Sequence, residues 1–323
     1  MSSPIFISGT QRSGTSLLRS LIDSNTPIYM PPAEMKFFVR YHHKLARYEP
    51  LKPASIQQFI ADYAQYRPVL HHTGVAQNSE MIATISQYDN WPSIYATLML
   101  ALAQTENKQW WGEKSPANEY FVDNILHFYP QSKILYTVRD PWAVVASSRR
   151  RYKQGFLRPT LRWVLSIRRA LTYYNQLPKH TFHLVFYEDL VLNLHEALKP
   201  IWTFLGLSSA DVAAKLTINQ AKWGRGGVTS YKDRQEEQLV WEDSLIAYKR
   251  ELTPREINII GWLTRRERQL LGYQAEQAYT YGFSQQLQSK KDKSQLYYPH
   301  YLGHLLNGIT DRPLRTPLTS SFT

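Results

Sequence analysis

The residues from Gly9 to Thr15, in the string GTQRSGT, have the types and spacing needed to bind an anion. Gly9 and Gly14 enclose four residues, and glycines at this spacing let successive backbone N–H groups converge on a phosphate-like group. Arg12 and Ser13 add a guanidinium and a hydroxyl inside the loop. A nucleoside-triphosphate loop carries Lys where this chain has Thr15, so the sequence predicts an anion cradle without the ATPase lysine.

Three further segments carry polar side chains where predicted strands end. Arg139 follows the strand Ile134–Val138 and precedes a helix, so its guanidinium can meet a phosphate at the helix start. Glu34 lies near a strand end, and an exposed acid there can also cap a helix start. Lys114, in the turn GEKSP, is either a cation of the site or a surface lysine. Because ligands of doubly wound sheets bind at the carboxyl ends of the strands, we expect these segments and loop 9–16 to share one edge.

The string GTQRSGTSLL closely resembles the 5′-phosphosulfate loop of the sulfotransferase family, whose sulfuryl donor is 3′-phosphoadenylyl sulfate (PAPS). The resemblance implies that the loop contacts PAPS through Gly9, Arg12, Ser13, Gly14, Thr15 and Ser16. It also places Arg12 and Lys114 at the oxygens of the sulfuryl group, where fixed cations stabilise developing charge. Glu34, followed by Lys36, matches the base segment of tyrosylprotein-type and carbohydrate-type members better than that of the cytosolic subgroup.

The same resemblance implies a site for the 3′-phosphate of PAPS. Arg139 after a strand and Ser147 in the following helix are spaced like the residues that bind this phosphate in sulfotransferases. Arg151 falls where tyrosylprotein-type members carry another arginine, although it also reads as one of three surface arginines. Tyr187, in FYEDLV, either packs on the adenine or belongs to the core.

The cofactor-covering part of the family pattern is only partly matched. Ser230, in the loop GRGGVTSYKD, and Lys249, in SLIAYKRELT, occupy the corresponding stretches and are expected to contact the donor. The Arg-Lys-Gly string of the cytosolic subgroup is absent. The residues that cover the 3′-phosphate and the adenine therefore stay open.

Apolar runs alternate with amphipathic stretches along most of the chain. Strands are expected in 5–7, 27–32, 110–114, 134–138 and 182–190, and helices in 15–24, 33–48, 50–110, 117–130, 141–152, 160–177, 194–207 and 253–273. This alternation predicts an α/β fold with a doubly wound, mainly parallel sheet and helices on both faces. The resemblance makes it a P-loop-like sulfotransferase fold.

The chain is expected to form one sulfotransferase domain over residues 1–283, followed by a polar C-terminal tail over 284–323. A helical insertion at about residues 40–110 belongs to the same domain, since no glycine-rich linker separates it. Its aromatic residues are either a wall of the acceptor pocket or ordinary core.

Composition excludes several classes of site. The 323 residues include no Cys, which excludes disulfides, thiolate zinc sites and a cysteine nucleophile. The adjacent histidines of His42–His43 and His71–His72 cannot chelate one ion together, and no acidic cluster is evident, so no metal is expected. A histidine remains an alternative base, as in the cytosolic subgroup. No signal peptide or membrane span is recognised, which predicts a cytoplasmic protein.

The resemblance implies a PAPS-dependent sulfotransferase that modifies a hydroxyl, less readily an amine, and releases adenosine 3′,5′-bisphosphate. The sequence does not identify the acceptor, which is a small molecule, carbohydrate, lipid or peptide. It does not identify the oligomeric state either. The alternative functions are those of a P-loop kinase and of a non-catalytic nucleotide- or RNA-binding protein. The latter is motivated by the net charge of +12, but nine Arg or Lys residues lie within 139–169 beside the phosphate motif. That clustering favours a nucleotide donor over nucleic acid.

Overall fold

A parallel five-stranded sheet forms the centre of the described chain, residues 3–214, 216–217 and 243–273 of this computed structural model. The strands are β1 (Ile5–Gly9), β2 (Ile28–Tyr29), β3 (Trp110–Lys114), β4 (Lys133–Val138) and β5 (Phe182–Phe186), in the order β2-β3-β1-β4-β5. The central β1 pairs with β3 and β4, so that Ile5 lies opposite Gly112 on one side and Lys133 on the other. The predicted α/β fold with a mainly parallel sheet is confirmed.

Helices connect the strands. The α-helices are α1 (Thr15–Asn25), α2 (Pro53–Tyr66), α3 (Val69–His72), α4 (Ser79–Ile85), α5 (Trp91–Gln104), α6 (Val122–Phe128), α7 (Pro141–Tyr152), α8 (Leu157–Gln176), α9 (Tyr187–Leu192), α10 (Leu194–Leu205), α11 (Asp243–Ile246), α12 (Tyr248–Glu251), α13 (Pro254–Leu263) and α14 (Arg265–Leu270). A π-helix covers Phe37–Tyr41, and 3₁₀ helices cover His42–Tyr48, Val75–Gln77 and Asn118–Tyr120. The chain between β2 and β3 is thus mostly helical.

The two faces of the sheet pack against different helices because side chains alternate along each strand. Phe6 and Tyr136 join a core with residues of α2, α5 and α8, whereas Ile5, Ile7 and Leu135 join a core with α1 and α10. Both faces are therefore covered, as a doubly wound sheet requires.

Three of the predicted elements are wrong in detail. The helix expected over 33–48 is a π-helix followed by a 3₁₀ helix, because neighbouring rings must both face inward: Phe37 stacks on Tyr95 at 3.8 Å and Phe38 meets Phe6 at 5.7 Å. The strand expected over 182–190 ends at Phe186, and α9 follows, with two acids in its first turn where the helix dipole favours them.

The third difference lies near the end of the described chain. The single helix expected over 253–273 is two helices, α13 and α14, separated at Thr264. The Thr264 hydroxyl and its backbone N–H both donate to the Ile260 carbonyl, at 2.7 Å and 3.0 Å, and this back-bonding by a threonine side chain bends helices. The predicted tail 284–323 and the whole of the predicted loop 221–233 lie outside the described residues. Within the described part of the chain, no helix is both long and apolar enough to cross a membrane.

Candidate active site

Four segments meet at the carboxyl edge of the sheet. The loop 9–16 follows β1, Glu34 follows β2, Lys114 ends β3, and Arg139 follows β4. These strands are neighbours in one parallel sheet, so their ends lie on the same side. The expected common edge is therefore present.

The glycine loop is held in shape by short polar contacts beneath it. Ser13 and Thr137 share a hydrogen bond between their hydroxyls at 2.7 Å, and the Ser13 N–H donates to the Thr10 carbonyl at 3.0 Å. Gly14 has φ +98, and a Cβ there would lie 2.3 Å from the Tyr187 ring. Only glycine suits this position, so the loop backbone is fixed against β4 and the start of α9.

Arg12 links the glycine loop to the segment after β4. Its Nε donates to the Ser147 hydroxyl in α7 at 3.0 Å, and its carbonyl accepts from Arg139 Nη1 at 3.0 Å. The residues assigned by resemblance to the two ends of the donor are therefore direct neighbours, although the loop and α7 are more than a hundred residues apart in sequence.

The Arg139 guanidinium is almost fully buried, with 6% of the residue exposed. Its Nη2 donates to the Ser244 carbonyl at 2.7 Å, and its plane lies 4.1 Å from the centre of the Tyr187 ring. Its Nε is buried and has no hydrogen-bond partner within the described part of the chain. A buried cation with an unused donor is suited to an incoming anion, since leaving that donor unpaired is costly.

Tyr187 is a buried support of this corner. Its hydroxyl shares a hydrogen bond with the Ser244 hydroxyl at 2.9 Å, while its ring lies under Arg139 and against Gly14. This environment is the one expected under the alternative in which Tyr187 belongs to the core. The contact of Tyr187 with adenine stays a prediction.

Glu34 forms a cluster of charges with two lysines. Its carboxylate accepts from Lys36 Nζ at 2.9 Å and from Lys114 Nζ at 3.2 Å. Burial alone would raise the Glu34 pKa, but the two cations more than offset burial, and the pKa lies below its ordinary value. Burial lowers the pKa of Lys114, and the attraction of Glu34 offsets part of that shift. A carboxylate that is ionised at neutral pH thus lies beside a buried ammonium group.

The chain matches the model of the sulfotransferase family over residues 4–211, which is more than half of its length. It belongs to the sulfotransferase family.

Solved structures agree with that assignment at the level of the fold. The sulfotransferase domain from the Synechococcus PCC 7002 olefin synthase is 19% identical, with a TM-score of 0.58 over 85% of this chain and 97% of that one. The sulfotransferase domain from the curacin biosynthetic pathway is 20% identical, with a TM-score of 0.53 over 85% of this chain and 99% of that one. None of the curated proteins matches the sequence significantly.

The turn that carries Lys114 in this sulfotransferase is supported by Glu113, which the sequence did not single out. The buried Glu113 carboxylate accepts from the Tyr95 hydroxyl at 2.8 Å and from the Ser115 hydroxyl at 2.6 Å. Ser115 in turn accepts from the Lys36 backbone N–H at 2.9 Å. This chain of bonds joins the Glu34 turn to the end of β3. In the sequence, the signal for this residue was an acid directly before Lys114 in GEKSP.

Helix α8 contacts the glycine loop, the segment after β4 and the 3₁₀ helix Asn118–Tyr120, none of which was predicted from the sequence. Arg162 Nη1 donates to the Gln11 side chain at 3.0 Å, and Trp163 Nε1 donates to the Arg139 carbonyl at 2.8 Å. Ser166 donates to the buried Glu119 carboxyl, which also accepts from Ser8 at the end of β1. One face of the helix therefore fixes the relative positions of the loops.

The hydrogen bonds and ion pairs described above do not involve all of the side chains that are predicted to contact the donor. Arg151 is exposed at the end of α7, with its guanidinium 5.9 Å from the Tyr152 ring, and Lys249 is exposed on α12. In α1, Thr15 is buried and Ser16 is exposed. Ser230 lies outside the described residues. Donor contacts by these five side chains stay predictions.

The histidines show no metal-binding arrangement in the part of the chain that the structure describes, where no group of His, Asp and Glu residues could hold a metal ion. His42 lies among aromatic rings, 5.7 Å from Phe38 and 5.1 Å from Phe128. Burial and the nearby His43 and His127 lower the His42 pKa. His42 is therefore placed as a packing residue.

Proposed function

We propose that this sulfotransferase moves the sulfuryl group of PAPS to a hydroxyl acceptor, less readily to an amine, and releases adenosine 3′,5′-bisphosphate. The observation that carries the proposal is the bond between Arg12 and Ser147 at 3.0 Å. It joins the residues assigned to the 5′-phosphosulfate with those assigned to the 3′-phosphate. One doubly charged nucleotide can then contact both.

In this proposal the donor binds along the carboxyl edge from β1 to β4. The loop N–H groups and the start of α1 hold the 5′-phosphosulfate, since a helix N-terminus favours negative charge. Ser147 and Arg139 hold the 3′-phosphate. The buried Nε of Arg139, which has no hydrogen-bond partner among the described residues, supports this assignment, because a phosphate oxygen would satisfy it.

The chemical step is an in-line transfer. The acceptor oxygen forms a bond to sulfur while the bond from sulfur to the bridging oxygen of PAPS breaks, and the bonding electrons leave with adenosine 3′,5′-bisphosphate. Glu34 accepts the proton that the acceptor loses. The lowered pKa keeps Glu34 ionised at neutral pH, so that it is ready to take that proton.

Lys114 and Arg12 supply positive charge where the transfer places negative charge. Lys114 is buried and lies 3.2 Å from Glu34, so base and cation act on the same small region. Electrostatic stabilisation by fixed cations in a buried site is often the largest single contribution to catalysis. No metal is needed in this scheme, since two side chains carry the charge.

A thermal-shift comparison tests the proposal. Adenosine 3′,5′-bisphosphate is expected to raise the melting temperature more than adenosine 5′-monophosphate, ATP with Mg²⁺ or a short RNA, because only the bisphosphate fills both anion sites. Stabilisation by ATP with Mg²⁺ alone would favour a kinase. Salt-sensitive stabilisation by RNA alone would favour a nucleic-acid-binding protein.

A further inference from the structure

A buried carboxyl group that the proposed chemistry does not use lies close to Arg139, Tyr187 and Ser244, which together form the Arg139 corner. Glu188 is the second residue of α9 and is fully buried. One of its oxygens accepts from the Asp140 backbone N–H at 2.9 Å, and the other accepts from the Tyr273 hydroxyl at 2.9 Å. Both oxygens thus bond to groups from distant parts of the chain.

The first of these bonds fixes the peptide that carries the donor-site arginine. The Asp140 N–H belongs to the peptide bond between Arg139 and Asp140, and the Asp140 side chain caps α7 by accepting from the Trp142 N–H at 2.8 Å. Glu188 therefore acts on the backbone at the point where β4 becomes α7. The residue before it, Tyr187, lies under the Arg139 guanidinium.

The second bond reaches the segment 243–273. This segment already contacts the corner through Ser244, whose carbonyl accepts from Arg139 and whose hydroxyl bonds to Tyr187. Tyr273 adds a second attachment point about thirty residues later, with its ring 6.1 Å from Phe186. Glu188 connects Tyr273 to the peptide between Arg139 and Asp140, since one carboxylate oxygen bonds to each of them.

We propose that Glu188 is a positioning residue of the donor site, which locks the Arg139–Asp140 peptide to Tyr273 and thereby sets the affinity for the 3′-phosphate end of the donor. The inference rests on the proposed function, because it concerns how well that phosphate is bound. Glu188 does not touch the donor and acts through Arg139.

The protonation of Glu188 gives this role a measurable signature. Burial, together with the nearby Asp140 carboxylate, raises the Glu188 pKa to about 7, although bonds from the Asp140 N–H and Tyr273 lower it somewhat. Asp140 and Tyr273 are the titratable side chains with the largest effect on Glu188. Near pH 6 the carboxyl is mostly neutral, and near pH 8 it carries a negative charge close to the Arg139 corner. That charge repels a phosphate dianion, so it weakens binding.

The test is isothermal titration of adenosine 3′,5′-bisphosphate and adenosine 5′-monophosphate into the full chain and into Glu188→Ala, Glu188→Gln and Tyr273→Phe. The alanine variant is expected to bind the bisphosphate roughly tenfold more weakly, with a loss for the monophosphate of less than about threefold. The glutamine variant, which mimics the neutral acid, should match the wild type at pH 6 and bind the bisphosphate about threefold to tenfold more tightly than it at pH 8.

Glu267→Gln is the matched control. Glu267 is also a fully buried carboxylate of the segment 243–273, but it pairs with Arg168 at 2.6 Å and not with the Asp140 peptide. This variant should leave the ratio of the two affinities unchanged. Tyr273→Phe removes one hydroxyl and keeps the ring, so it tests the same link if the alanine variant fails to fold. It should lower the affinity for the bisphosphate more than the affinity for the monophosphate.

Equal losses for both nucleotides in Glu188→Ala and in Tyr273→Phe would overturn the role of Glu188. Failure of the wild type itself to bind the bisphosphate would instead overturn the proposed function. The two failures are therefore distinguishable.

Discussion

The corner around Arg139 and the cluster around Glu34 lie at the same edge of the sheet but are built differently. Arg139 is buried, donates to two backbone carbonyls and lies on an aromatic ring. Glu34 and Lys36 are about a quarter exposed in their side chains, and ion pairs with lysines hold the Glu34 carboxylate. One region is fixed by packing, and the other is arranged by charge.

This difference suggests a division of labour. Buried groups bonded to backbone hold a fixed geometry, which suits recognition of a nucleotide with two phosphate positions. An ionised carboxylate that is paired with a buried ammonium group places a proton acceptor beside a fixed cation, which suits a reacting centre. Variants of the two regions should therefore differ in kind: those at Glu34 and Lys114 should change turnover, and those at Arg139 should change affinity.

The largest effect is expected from Glu34→Gln. It removes the proposed proton acceptor, so turnover should fall by about 10²–10⁴-fold, while the affinity for adenosine 3′,5′-bisphosphate stays within about threefold of the wild type. Steady-state turnover with PAPS and titration of the bisphosphate measure the two quantities. Glu80→Gln, on the exposed side of α4, is the control. An unimpaired rate would assign the base to another residue.

Lys114→Ala should have the next largest effect. Loss of the buried cation should lower turnover by about 10²–10³-fold, since the sulfuryl oxygens lose a fixed positive charge. The comparison variant is Lys36→Ala, which removes the more exposed partner of Glu34 and should cost less than tenfold in turnover. Equal losses in the two variants would show that Lys114 acts only by pairing with Glu34.

Arg139→Ala should act on binding. The affinity for adenosine 3′,5′-bisphosphate should fall by about 10- to 100-fold, and that for adenosine 5′-monophosphate much less, because the variant removes a contact to the 3′-phosphate. Arg150→Ala is the control, since that arginine is exposed and its ion pair with Glu251, at 3.7 Å, is long. If both nucleotides lose affinity equally, Arg139 only supports the loop.

The smallest effect is expected from Glu256→Gln, which weakens the brace between α13 and Arg149. The bond from Arg149 lowers the Glu256 pKa to about 2, with the Thr253 N–H assisting. The ion pair therefore stabilises the fold above the ordinary pKa of a glutamate, and this contribution is lost as the pH falls through about 2. The variant should lower the free energy of unfolding at pH 7 by less than about 1 kcal/mol, because the pair is near the surface.

Denaturant unfolding at pH 7 and at pH 3 measures this contribution, and the gap between variant and wild type should narrow at the lower pH. The affinity for the bisphosphate should not change. A large loss of affinity for the bisphosphate would show that Arg149 also belongs to the packed region around Arg139.

Much of the packed corner could be predicted from the sequence. The glycine loop and Arg139 each follow an apolar strand directly, so the sheet rule was enough to bring them together. The contact of Arg139 with Ser244 could not be predicted, because the two residues are 105 positions apart and nothing in the local sequence marks a carbonyl as an acceptor. The same holds for the contacts of α8.

The segments of Glu34 and Lys114 were expected at one edge of the sheet, but the ion pairs among Glu34, Lys36 and Lys114 were not predicted. Lys114 and Glu34 are 80 positions apart, and their bond depends on β2 lying beside β3. The sequence predicted both strands but not their order. It also predicted a regular helix after Glu34, whereas the tight packing of Phe37 and Phe38 produces a π-helix. Packing of side chains from distant elements decided both points.

The most direct test of the central claim is transfer of sulfur label from PAPS to a cell extract by the wild type and by Glu34→Gln. The account predicts a labelled acceptor and an equal amount of adenosine 3′,5′-bisphosphate with the wild type, and at least a hundredfold slower labelling with the variant. Label that stays in PAPS with the wild type, or transfer at the same rate with both proteins, would contradict it.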